Sequence, residues 1–312
     1  MTKTTSLLFP GQGSQVVGMG KTFYQQFPEA RLVFEHANDI LQTSLSSVIF
    51  EGPLEDLTKT RIAQPALFVT SLAILAVLQS KFHLSPICAA GLSLGEYTAL
   101  VATKTLSFEE ALPLVAARAS FMHDACEQFP GKMLAILGLS DDEVIELVRS
   151  LNKPTELYCA NFNCPGQVVV SGTPSAIDIA ANAAKERGVR SVMLQTSGAF
   201  HSGLMKKAQD QLEPLLRKTT FIAPSFHLAM NTTGTFVETT AAIQENLINQ
   251  VTSSVLWHKC VASCAASSPS LFLEIGPGKS LCNMNKRMGM TIPSVSVETV
   301  DDLAIVEKHL SS

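Results

Sequence analysis

The chain has 312 residues, 46% of them hydrophobic and 16% charged, with a formal net charge of −4 and a pI near 6.0. A chain this apolar can offset its ordering entropy, which excludes a disordered protein. Surface scaling predicts roughly 12,700 Å² of folded area, enough for one full core and a smaller satellite domain. No basic block is present, so nucleic acid is not an expected partner, although small basic patches could meet an acidic one.

Ser6–Phe9 reads as a short apolar strand stopped by Pro10-Gly11-Gln12-Gly13, too short a run for a signal-peptide core. Pro65–Gln79 is predicted as a buried helix with proline in its first turn. Inside it, Ala66–Leu78 is interrupted by Thr70 and Ser71 and is too short to span a bilayer, so no membrane association is expected. Ile87–Ala90 is a small-residue strand running into Gly91-Leu92-Ser93-Leu94-Gly95, followed by a helix over Glu96–Ala102. Ser107 with Glu110 forms a capping box for a helix to about Cys126, which Pro113 should bend.

From 131 to 197 the rhythm becomes βαββαβ. The strands are Met133–Leu137, Leu157–Asn161, Gln167–Ser171 and Ser191–Gln195; the helices are Asp141–Leu151 and Pro174–Arg187. That order predicts a ferredoxin-like unit inserted into a larger α/β domain. Leu271–Ile275 is a further strand, stopped by Gly276-Pro277-Gly278. The expected fold is therefore α/β: an α/β-hydrolase-like large domain on a parallel sheet (1–130 and 198–312), with a ferredoxin-like small subdomain (131–197) and a cleft between them.

Seven cysteines without a CxxC pair predict free thiols in a reducing compartment, hence a soluble cytosolic protein. No His, Cys and Asp cluster has zinc-ligand spacing, so no metal is expected.

Gly91-Leu92-Ser93-Leu94-Gly95 has the G-x-S-x-G form of a nucleophile elbow, in which a sharp strand-to-helix turn leaves no room for Cβ atoms beside the serine. The motif alone also fits an ordinary turn serine; a strand before it and a helix after it favour the elbow. Gly11–Gln15 could bring backbone N–H groups close to a ligand, or be a tight turn. It lacks the lysine of a P-loop and the full G-x-G-x-x-G of a dinucleotide site. Of the seven histidines, His201 in Gly198–Ser202 lies in a loop at the domain junction, where a cleft residue belongs, and is the candidate base.

Together these segments resemble the malonyl-CoA:acyl carrier protein transacylases and the related acyltransferase domains of fatty-acid and polyketide synthases. The likeness runs over nearly the whole chain. It rests on GQGSQ at 11–15, QPA at 64–66, GLSLGEY at 91–97, Arg118, NFNCPGQVVVSG at 161–172, GAFHS at 198–202, Gln250 and GPG at 276–278. The resemblance implies Ser93 as nucleophile and His201 as its base, oriented by the backbone carbonyl of Gln250. It implies an oxyanion hole from the N–H groups of Gln12 and Leu94, and Arg118 as the grip on a malonyl carboxylate. Phe200 matches the malonyl-type variant of its motif and should crowd a branched acyl group. Three departures stand out: Leu92 where the family has histidine, Ser253-Ser254-Val255 in place of Asn-Pro-Val, and Pro113 in the helix carrying Arg118.

The function implied is malonyl transfer from malonyl-CoA to the phosphopantetheine thiol of acyl carrier protein through a malonyl-serine, supplying fatty-acid synthesis. No cofactor belongs to the enzyme itself, and a monomer is expected. An acidic carrier needs a basic dock, for which Lys206-Lys207 and Lys286-Arg287 are the candidates. Two alternatives remain open on the residues alone: a serine esterase or thioesterase of α/β-hydrolase type, and a non-catalytic carrier-binding protein.

Overall fold

A computed structural model describes residues 3–311. Its accessible surface is 12,901 Å², close to the area expected for this mass. Among the described residues, ten strands form two sheets. They are β1 (Thr4–Phe9), β2 (Ser85–Gly91), β3 (Lys132–Leu137), β4 (Leu157–Cys164), β5 (Gln167–Gly172), β6 (Arg190–Met193), β7 (His227–Met230), β8 (Thr235–Phe236), β9 (Leu271–Ile275) and β10 (Ser294–Val297).

The six-stranded sheet has the order β10-β9-β1-β2-β7-β8. Leu7, Leu8 and Phe9 on central β1, and all five residues of β9, are buried, as expected where helices cover both faces of a parallel sheet. The sheet is mixed, which corrects the expectation of a parallel one. Two-residue β8 pairs antiparallel with β7 across a tight turn at Asn231–Gly234, where Gly234 adopts a φ of 69°. A connection that short can only return antiparallel.

The second sheet is antiparallel, in the order β4-β5-β3-β6. Helices Asp141–Ser150 and Pro174–Glu186 pack on it through Val144, Leu147, Ile177 and Ala180. Ser140 with Glu143 makes a capping box at the start of the first, and the Thr173 hydroxyl caps the second.

The helix predicted from Pro65 begins five residues earlier and spans Thr60–Lys81, so Pro65 lies inside it and not in its first turn. Its first turn closes without the missing proline N–H, because Ile62 and Ala63 both donate to the Lys59 carbonyl at 2.8 Å. At 22 residues the helix is long and apolar enough to cross a membrane, which corrects the length argument made from Ala66–Leu78. Burial settles its role: 83% of its most apolar window is buried inside the protein, against helices Phe108–Gln128 and Pro28–Leu41 among others. Phe108–Gln128 runs unbroken through Pro113, with the Ser107/Glu110 capping box in place.

Candidate functional site

Strand β2 ends at Gly91, and helix Gly95–Ala102 starts four residues later. The turn is as tight as its glycines imply. A Cβ on Gly91 would lie 1.8 Å from the Gly95 carbonyl carbon, and one on Gly95 would lie 2.3 Å from the Phe9 carbonyl oxygen. Between them Ser93 is held at a φ of 52°, a left-handed conformation that costs a non-glycine residue of order 1 kcal/mol or more. Asn231 offsets that cost by clamping both sides of the turn. Its Oδ1 accepts from the Ser93 N–H at 2.7 Å and its Nδ2 donates to the Gly91 carbonyl at 2.8 Å.

His201 reaches the turn from the other side, itself at a φ of 56°. Its Nε2 lies 2.8 Å from Ser93 Oγ and its Nδ1 2.9 Å from the Gln250 carbonyl oxygen. A carbonyl only accepts, so Nδ1 carries the proton and Nε2 is left to accept from the Ser93 hydroxyl. The position held by aspartate in a Ser-His-Asp triad is taken here by a backbone oxygen. Burial, and then the neighbouring Arg118 charge, push the imidazole down to about 4, so the ring is neutral at physiological pH.

Arg118 is fully buried. Its guanidinium donates to Gln64 Oε1 at 2.6 Å, to Gln250 Oε1 at 2.8 Å and to Ser93 Oγ at 3.1 Å, and lies 5.7 Å from the Tyr97 ring centroid. Among the described residues its Nε–H has no acceptor, and no carboxylate forms an ion pair with it. Desolvation lowers its pKa from the usual value. A buried cation held only by neutral amides and a hydroxyl is a costly arrangement unless an anion visits it.

Ser93, Arg118 and His201 open on a cleft of about 620 Å³ between the two sheets, whose walls include Leu92, Asn161 and Phe200. The Gly11–Gln15 loop forms one rim, with Gly11 packed so close to the Leu92 carbonyl that a Cβ would approach it to 2.5 Å. Gln12 and Leu94 both line the cleft, and among the described residues neither backbone N–H has an intramolecular acceptor. Such N–H pairs beside a serine hydroxyl can receive a developing oxyanion.

The structure thus brings together Ser93, His201, Arg118, Gln250, Gln12, Leu94 and Phe200. The Ser253-Ser254-Val255 departure leaves the Gln250 carbonyl on His201: Ser254 Oγ donates to the Cys159 carbonyl at 2.6 Å and the Val255 N–H to Ala160 at 2.8 Å, tying the loop to β4. The basic pairs lie outside the cleft. Lys206 is ion-paired with Asp210, and Lys207 donates to Gln128 Oε1 at 2.6 Å. Lys286 and Arg287 are exposed on helix Ser280–Arg287, whose Ser280 and Met284 line the cleft.

Sequence reasoning missed Asn231, Glu96 and the side-chain roles of Gln64 and Gln250. Gln64 and Glu96 lie within the quoted QPA and GLSLGEY segments, but nothing local marks what they touch. Asn231 had no signal beyond following a short strand.

The chain matches the acyl transferase domain model over residues 7–306. It is 40% identical over 307 residues to a malonyl CoA-acyl carrier protein transacylase of Bacillus subtilis, covering 98% of this chain and 96% of that one. The Escherichia coli K12 protein of the same name is 35% identical over 300 residues, covering 96% of this chain and 97% of its own. Among solved structures, the Coxiella burnetii transacylase superposes with a TM-score of 0.96 at 30% identity, covering 100% and 99% of the two chains. A malonyl-transacylase solved in complex with its type II PKS acyl-carrier protein superposes with a TM-score of 0.93 at 34% identity, covering 99% of each. The fold, the cleft and these likenesses agree: the chain belongs to the acyl transferase domain family.

Proposed function

We propose that this protein is a malonyl-CoA:acyl carrier protein transacylase working by two successive transfers. The observation that carries the reading is Arg118, a buried guanidinium that touches no carboxylate among the described residues and lies within hydrogen-bond distance of Ser93 Oγ. A malonyl carboxylate supplies the missing anion and so brings the thioester carbonyl to the serine. Ser93 Oγ attacks that carbonyl and gives its proton to His201 Nε2; the Gln12 and Leu94 N–H groups take the oxyanion, and coenzyme A leaves with the proton as its thiol. The phosphopantetheine thiol of acyl carrier protein then attacks malonyl-Ser93, His201 accepting its proton and returning one to Ser93 Oγ. These steps use no metal or redox group. The Phe200 ring in the cleft wall crowds a branched acyl group. A Gln250 carbonyl in place of the aspartate of a hydrolase triad, beside a cation suited to a charged acyl end, favours this reading over a simple esterase.

The same reading supports a division into an α/β-hydrolase-like body (1–130 and 198–312) and a ferredoxin-like unit (131–197), whose strand order β4-β5-β3-β6 fits that topology. Free thiols at all seven cysteines fit a reducing cytosol.

Intact-mass measurement after brief mixing with malonyl-CoA should show one malonyl group on Ser93, discharged on adding the phosphopantetheinyl carrier. No adduct, or an adduct lost to water as fast as to the carrier, would refute transacylation. We place the carrier dock at Lys286-Arg287, because their helix reaches the cleft and Lys286 forms no ion pair among the described residues. Lys286→Glu with Arg287→Glu should leave malonyl loading at the parent rate, slow the discharge and flatten its salt dependence. Parent-like discharge would move the dock elsewhere.

The depressed His201 pKa has its own consequence. Acylation kcat/KM reports the free enzyme, so its acid limb should fall near pH 4 and not near 6.5, the imidazole losing base function only as pH drops through the lower value. A limb at 6.5 would mean that burial and Arg118 do not control this histidine.

A further inference from the structure

Glu96 lies three residues after Ser93, in the first turn of helix Gly95–Ala102, and is fully buried. Both its oxygens act as acceptors, one from the Asn231 backbone N–H and one from Gln250 Nε2. The other end of the same Gln250 amide accepts from Arg118 at 2.8 Å, and its Nε2 also donates to the Ser93 carbonyl at 2.9 Å. One side-chain amide thus bridges a buried carboxyl group and a buried guanidinium that do not touch. The titratable groups facing Glu96 are Arg118 from helix Phe108–Gln128, Tyr97 from its own helix and Cys260 from helix Trp257–Ala266, none of them a second carboxylate.

Building on the transacylase reading, we propose that Glu96 is the proton-linked counter-charge of Arg118: where it is ionised in the free enzyme, it must take up a proton when a substrate carboxylate settles on the guanidinium, so malonyl binding is coupled to protonation of Glu96. With Glu96 ionised, a malonyl carboxylate on Arg118 would leave two anions and one cation in a desolvated site, and charges there are weakly screened. Taking up one proton from solvent keeps the site neutral. Glu96 is a positioning residue, acting through Gln250 and Arg118 and not on the substrate itself.

Burial already holds the Glu96 carboxyl up to about 8, against the opposing pull of the Asn231 N–H, Arg118 and Gln250. A second anion cancels the pull of Arg118 and lifts it further. The sign follows from linkage. Below the free-enzyme value Glu96 is protonated with or without substrate, and binding is independent of pH. Above it the free enzyme must gain a proton to bind, so affinity falls as pH rises. No other group described around the site competes in this window. Burial drives Tyr97 and Cys260 far upward, and His201 is already neutral.

The test is calorimetric binding of malonyl-CoA to the Ser93→Ala enzyme, which cannot be acylated at that residue, in buffers of different ionisation enthalpy. Acetyl-CoA, which carries the same nucleotide without the carboxylate, is the control. Net proton uptake on malonyl-CoA binding, after subtracting the control, should be near zero at about pH 6.5 and exceed roughly half a proton at about pH 8.5. The Kd should rise roughly 5–10-fold between about pH 7 and pH 9, with acetyl-CoA showing no such rise. Adding Glu96→Gln should abolish both effects; should that variant not fold, the proton count on Ser93→Ala alone decides. Malonyl-CoA binding without excess proton uptake would overturn the role of Glu96 and leave the transacylase reading standing. No malonyl-CoA binding at any pH would take both down together.

Discussion

Ser93→Ala should form no covalent malonyl adduct at all, while melting within a few degrees of the parent. The hydroxyl is the only part of the elbow that this change removes. Asn231 still clamps the turn through the backbone of residues 91 and 93, and Gln250 still holds the residue 93 carbonyl. Arg118 loses its 3.1 Å contact to Oγ but keeps Gln64 and Gln250, and His201 Nε2 loses its 2.8 Å partner; by the usual net worth of a hydrogen bond to a charged group the first loss is about 1.5–3 kcal/mol. His201→Ala should slow both half-reactions by about 10²–10⁴-fold, the range for a positioned base. The double variant should behave like Ser93→Ala alone and form no adduct, since the two groups act as one unit. Intact-mass kinetics read all three, and a malonyl adduct on the Ser93→Ala protein would remove Ser93 from the mechanism.

What the sequence could reveal of this site followed the range of the forces involved. The elbow was legible because its geometry is local: two glycines, a strand before and a helix after. The capping box at Ser107 and Glu110 was legible for the same reason, and so were the elements of the four-stranded sheet, where apolar alternation and helix starts fall within a few residues of each other. The helices Lys21–Gln26, Pro28–Leu41, Leu45–Glu51 and Leu54–Thr58 were not found, although Pro28 at a helix start was a usable signal. Reading proline as a boundary places the start of helix Thr60–Lys81 five residues late, because the turn before Pro65 already closes on Lys59. The electrostatics of the cleft lay furthest out of reach. Glu96, Asn231 and Gln250 come from three distant segments, and only the packing of helix Thr240–Gln250 and the turn after β7 around the elbow makes them one network. Arg118 and the Gln250 carbonyl were placed through family resemblance. Residue type alone left Arg118 as an arginine on an amphipathic helix.

Arg118→Ala should change which acyl group is accepted more than it changes the rate of any one. In the parent, a buried guanidinium whose Nε–H has no acceptor and which touches no carboxylate among the described residues presents a vacant place for an anion. A charge-assisted, forked contact to the malonyl carboxylate contributes about 3 kcal/mol, so its loss should cut malonyl-CoA acylation by roughly 10²-fold. Acetyl-CoA has no carboxylate to lose. For it the parent guanidinium is an unmatched buried charge facing a neutral methyl group, and removing it should leave acetyl transfer unchanged or faster. Arg118→Lys should fall between the two, since an ammonium keeps the charge without the fork that also spans Gln64 and Gln250. The measurement is the ratio of malonyl to acetyl loading on Ser93 in each protein, from which any difference in folded fraction cancels. A ratio unchanged from the parent in Arg118→Ala would mean that the carboxylate is recognised elsewhere in the cleft, and that this buried cation serves only to hold Gln64, Gln250 and the elbow in place.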